Sequence, residues 1–180
     1  MAHYIVYWPQ DWVQELKKAG DQGPIKVVLG SIHSRMPSIA SVKVGDVVFP
    51  VTLIKKKLYV MARLPVTHRE CAFDYCMREL GREHGALTPE GIVVKKTDTF
   101  YWAKGQSFNC CPEWAVWGEN GSSIEPRLMP DEAMPLLRFG YPKSKEKPLR
   151  LDKNGNVLSM SLTATRRMSE ETAKIFEELF

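Results

Sequence analysis

The hydrophobic pattern changes period within the first twenty residues. His3-Tyr4-Ile5-Val6-Tyr7-Trp8 is an unbroken β-branched and aromatic run that predicts a core strand, and Pro9 ends it. Over 11–19, Trp12, Val13 and Leu16 fall on one stripe of a helix, Lys17 and Lys18 occupy its last turn, and Gly20 is placed to stop it. Residues 25–29 form a short apolar run suited to a buried strand. Residues 30–40, with Ser31, His33, Ser34, Arg35, Pro37 and Ser38, show no period and predict a polar loop.

Two β-branched and aromatic runs, 42–50 and 58–66, flank Lys55-Lys56-Lys57, and Gly45-Asp46 leads into the first, which predicts a strand hairpin entered through a tight turn. Ala72, Phe73, Cys76, Met77 and Leu80 recur at helical spacing and predict a helix over about 70–84. Further strands are expected at 92–94 and 99–102. Residues 105–121 are irregular, and Trp114 and Trp117 stand there among Pro112, Gly118, Asn120 and Gly121, a loop setting. Then come a strand at 124–129, a helical turn from Asp131 and a basic connector over 140–148. A second hairpin, 149–151 with 157–162, is expected around Asn154-Gly155, and a terminal helix capped by Ser169 has Glu170 and Glu171 at its positive end. The pattern predicts an α+β protein with no internal repeat.

The Gly45-Asp46 hairpin, preceded by a strand and an early helix and followed by a helix and more strands, resembles the PUA-like superfamily, which includes the EVE, ASCH and YTH domains. The likeness is close over 42–68 and loose over most of the chain. It implies one domain over 1–180, a PUA-like mixed or antiparallel β-barrel with flanking helices, that holds RNA or DNA, often with one base in a cleft. Glu125-Pro126-Arg127-Leu128-Met129-Pro130 is similar to the arginine-bearing strand late in EVE domains. With Gly30 aligned on the ASCH signature, His33 stands where that family has lysine and Met36 where it has glutamate. The departure argues against ASCH deacylase chemistry here.

Composition adds limits. A chain of 180 residues with 44% hydrophobic content is enough for one core. No run approaches the roughly 20 apolar residues of a membrane span, and no basic region followed by an apolar stretch opens the chain, so a cytoplasmic protein without a membrane partner is expected. Cys71, Cys76, Cys110 and Cys111 lack zinc-site spacing, and no phosphate-cradling glycine loop or dinucleotide fingerprint occurs, so neither metal nor cofactor is expected. A net charge of +4 is mild, but Lys55, Lys56, Lys57, Arg63 and Arg69 are unrelieved by any acid over 55–69, and Arg138, Lys143, Lys145, Lys147 and Arg150 have only Glu146 among them.

These features predict a non-catalytic module that binds single-stranded or modified DNA or RNA. Trp102, Trp114 and Trp117 would stack on an unpaired or modified base, with His33, Ser34 and Arg35 lining the same cleft. Lys55, Lys56, Lys57, Arg63, Arg127, Lys143 and Lys145 would hold phosphates, and Arg166-Arg167 suit the same role or ion pairing with the glutamates of the last helix. Two other classes stay open. One is a hydrolase of nucleotides, modified nucleosides or RNA that uses His33 with Ser34, Arg35 or Asp46; the bend itself gives Asp46 a competing, turn-stabilising role. The other is an interaction subunit anchored by the tryptophan-rich stretch. Nothing in the pattern sets an oligomeric state.

Overall fold

Strand β1 (His3–Tyr7) forms where the first apolar run predicts it, and its residues divide between two cores, Tyr4 and Val6 facing one and Ile5 the other. The computed structural model describes residues 1–20, 22–31, 38–80 and 112–180. The strands expected at 92–94 and 99–102, together with His33, Ser34, Arg35, Trp102, Cys110 and Cys111, lie outside the described residues. Beside β1 and parallel to it runs β3 (Val47–Ile54), whose Val48 joins the first core while Val47, Phe49, Val51 and Leu53 join the second. Strands covered on both faces read as continuous hydrophobic runs rather than alternations, which is why this pair stood out in the sequence.

The predicted hairpin is present. β3 turns into β4 (Lys57–Val60) through Lys55 and Lys56, at φ 49° and 65°, the positive values a two-residue hairpin turn requires. Gly45, at φ +91°, makes the preceding bend, and the Asp46 carboxylate accepts from the Lys43 and Ala2 amides at 2.9 and 2.8 Å. Asp46 is therefore committed to the bend. The short β5 (Leu64–Pro65) pairs with the start of β3, so Pro50 sits where the partner changes from β5 to β4 and its missing N–H is tolerated.

The large sheet is completed by β8 (Arg127–Leu128), β9 (Arg138–Gly140), β10 (Lys147–Pro148) and β11 (Arg166–Met168), in the order β10-β9-β11-β1-β3-β4-β8. Among the described residues, only β1 and β3 of this sheet are parallel. A second, three-stranded antiparallel sheet has β7 (Pro112–Trp117) between β2 (Val27–Ser31) and β6 (His68–Cys71). This corrects the loop expected for Trp114 and Trp117 and moves Glu70 from a helix start to a strand. The strand expected over 124–129 pairs only at β8, and the second hairpin reduces to one bridge, Leu151 to Val157, before a 3₁₀ turn at Ser159–Ser161.

Helix α1 (Gln10–Ala19) ends as predicted, with Gly20 at φ 66° and its amide on the Leu16 and Lys17 carbonyls. It covers the first core with Leu16, which shares that core with Val27, Val28 and Val116 of the small sheet. Helix α2 (Ala72–Leu80) lies against that sheet, and α3 (Glu170–Glu177), capped by Ser169 Oγ accepting from the Thr172 amide at 3.2 Å, seals the second core with Phe176. The fold is thus α+β, with the large sheet between two apolar layers. Among the described residues the strands close no barrel, and no helix is long and apolar enough to cross a membrane.

Candidate functional site

Trp114 and Trp117 are three residues apart on one strand, so they project to opposite faces of the small sheet. They cannot sandwich a single base between them. Trp117 shares its face with His68 and Glu70: the imidazole stacks on the indole at 3.8 Å and 9°, and indole Nε1 donates to Glu70 Oε1 at 2.6 Å. From α2, Arg78 grips both oxygens of Glu70 at 2.6 and 2.8 Å and also donates to Glu79. The Arg78 hydrogen bonds hold the Glu70 carboxyl below the ordinary carboxylate range. The indole N–H and one of its faces are thus already engaged, and Trp117 ties α2 to the sheet.

Trp114 is 36% exposed, and the Arg69 guanidinium covers its ring at 3.7 Å while donating to the Ala40 carbonyl at 2.9 Å. This leaves Trp114 as a single stacking surface. The companions proposed for it, Trp102, His33, Ser34 and Arg35, lie outside the described residues.

The predicted phosphate ligands divide sharply. Lys57 Nζ is 2.6 Å from Asp131, and Arg63 Nε is 2.6 Å from Glu177, which also meets His3 at 3.4 Å. Arg127 donates to Ser123 Oγ and the Glu125 carbonyl, lies 3.6 Å from the Glu125 carboxylate, and covers the Phe180 ring at 4.3 Å. These three are occupied by partners from the protein itself. Lys55 and Lys56 form the exposed tip of the β3–β4 turn, where Lys56 adds attraction to a carboxyl of Asp152 that hydrogen bonds from Asn156 already hold low. Lys143 and Lys145 lie exposed on the loop between β9 and β10 and make no ion pair among the described residues.

That loop borders a basic hollow. A hollow of about 450 Å³ opens between the β9–β10 hairpin and the Ser159–Ser161 turn, floored by Phe139 and Leu149. Lys145, Lys147, Arg150 and Arg166 line it, and no acidic side chain among the described residues does. Glu146, the one acid of the run, is turned away to Arg167, at 2.9 Å from Nε and 2.7 Å from Nη2. The Arg167 contact adds to a backbone hydrogen bond that holds the Glu146 carboxyl below its ordinary value.

An aromatic ring completes the hollow. Tyr141 is 56% exposed, and the Arg166 guanidinium stacks on it at 3.7 Å. Backbone pairing places them together, because Gly140 of β9 faces Arg167 of β11 and each neighbouring residue lies alongside. Gly140 is required here: a Cβ would come within 2.9 Å of the Ser144 carbonyl oxygen, where the loop folds back and the Ser144 amide reaches the Tyr141 carbonyl. Arg166 Nε is buried with no hydrogen-bond acceptor.

The chain matches no protein-family model and no curated protein. Sequence reasoning found the basic run over 138–150 but passed over Tyr141, although an aromatic inside a Lys/Arg-rich stretch is a readable signal for a stacking surface. For Arg166 it left open a phosphate contact or ion pairing with the terminal helix. In the structure it is Arg63 that takes a glutamate of that helix, whereas Arg166 stacks on Tyr141.

Proposed function

We propose that this protein is a non-catalytic nucleic-acid-binding module that holds a single strand at the hollow beside β9 and β10, with an unpaired or modified base against Tyr141 and phosphates against Lys145, Lys147, Arg150 and Arg166. One observation carries this reading: four cationic side chains and a half-open aromatic ring surround one apolar-floored hollow that no carboxylate of the described residues lines. Such an arrangement gives backbone attraction and base stacking at one place, the two contributions on which strand binding without sequence preference depends. We further infer a PUA-like architecture and a cytoplasmic setting. The Gly45-Asp46 bend leading into the β3–β4 hairpin, and a mixed sheet with one parallel pair, support the first of these.

Fluorescence anisotropy with labelled RNA and DNA decamers tests the proposal. Single strands should bind, more weakly as salt rises, and Tyr141→Ala should weaken them about 5- to 150-fold, the value of one stacked base at ~1–3 kcal/mol. Absence of single-strand affinity, or an affinity indifferent to both salt and Tyr141→Ala, would defeat it.

A further inference from the structure

We propose that Met160 is the second apolar wall of the base site, so that the hollow grips one unpaired, uncharged nucleobase of a single strand between the Tyr141 ring and the Met160 side chain. This rests on the nucleic-acid reading above and adds to it the residue that selects an unstacked base. Met160 is 76% exposed, more than any other large apolar side chain among the described residues except Met1. Isolated exposed apolar residues need no explanation, but this one lines the same hollow as Tyr141 and reaches it from a different chain segment.

The backbone that carries it is held in place. Met160 is the middle residue of the 3₁₀ turn Ser159–Ser161, where the Ser161 amide and hydroxyl both donate to the Leu158 carbonyl, at 2.9 and 2.6 Å, and Thr163 Oγ1 donates to the Met160 carbonyl at 3.2 Å. Leu162, wholly buried in the second core, pins the turn from below. An unbranched thioether is polarisable and adapts to a flat π surface, which suits it to a base face. Arg166 covers the Tyr141 ring from one side, and the residue remains exposed.

The charges set the class of ligand. Lys145, Lys147, Arg150 and Arg166 line the hollow and would repel a cationic base modification, so the base it holds is uncharged. Lys147 and Arg150 beside Met160 suit the phosphates on either side of a held base. A base inside a duplex is stacked on both faces and must first be pulled free, so duplexes should compete poorly.

The test uses the whole chain, a labelled mixed-sequence single-stranded decamer, and a decamer with the same sugar–phosphate backbone but no bases. Met160→Ala should weaken binding of the intact strand about three- to tenfold, Met160→Leu should restore most of it, and neither should change the salt slope, because no charge is removed. On the abasic strand, wild type and Met160→Ala should bind alike. Equal binding of the intact strand by wild type and Met160→Ala, or an equal loss on both strands, overturns the role of Met160 while leaving the proposed function standing. Failure of the wild type to bind either strand removes both.

Discussion

Removing charges one at a time should separate the cations that contact a strand from those the fold has already paired. Four cationic side chains line the hollow: Lys145, Lys147, Arg150 and Arg166. If each neutralises one phosphate, the slope of log K against log salt should be about −2.8, at roughly −0.7 per phosphate of a single strand. Affinity then drops about 50-fold between roughly 50 and 200 mM salt. Arg150→Ala should flatten the slope to about −2.1, leaving a fall of about 20-fold over the same interval. Arg63→Ala is the control, because that guanidinium is bound to Glu177 at 2.6 Å and has no place in the hollow. It should leave the slope unchanged. Anisotropy titrations at four salt concentrations measure each slope directly. Equal flattening by Arg150→Ala and Arg63→Ala would show that binding follows overall charge, and the assignment of the hollow would be refuted.

Other outcomes follow from the packing and from the ion pairs. Phe176 is wholly buried and meets Phe49 and Phe139 edge-on, at 5.5 and 6.1 Å between centroids, so Phe176→Ala should cost about 3–5 kcal/mol in urea denaturation. A loss under about 1 kcal/mol would mean that α3 is not docked as described. Glu70 is held below the usual carboxylate range mainly by Arg78, so its contribution to stability is complete above the ordinary value of 4.5 and disappears as pH falls through its own lower value. Glu70→Gln should therefore be less stable than wild type at pH 7 and equal to it in strong acid, by denaturation at both; a gap that persists in acid would assign the loss to packing instead.

What the sequence revealed of the fold was mostly local. The stripe of α1 and its Gly20 stop, the Ser169 cap and the Gly45 bend each depend on residues a few positions apart, and each is present. The strands that escaped notice depend on distant partners. β7 reads as a loop because Pro112 opens it and Gly118 follows it, yet Trp114 to Trp117 pair with Cys71 to His68 more than forty positions earlier. β11 consists of two arginines and a methionine, and only its place between β1 and β9 makes it a strand. The same limit applied to the aromatics, since the faces of Trp114 and Trp117 could be told apart only once the segment was known to be extended.

Charge density alone misleads about the site for a related reason. Both basic runs qualify as phosphate surfaces from sequence, but the carboxylates that occupy Lys57 and Arg63 come from Asp131 and Glu177, 74 and 114 positions away. A cation already held by a carboxylate must give up that partner before it takes a phosphate, and the exchange gains little. A cation with no carboxylate beside it gives up only water, and counterions released from the strand favour the exchange. The interface should therefore lie where acid is absent rather than where base is densest. Glu146, although it also attracts Lys145, is held by Arg167 and does not line the hollow at Tyr141. Asp152, beside the tip at Lys55 and Lys56, is held instead by neutral donors of Asn154 and Asn156 and keeps its charge for Lys56.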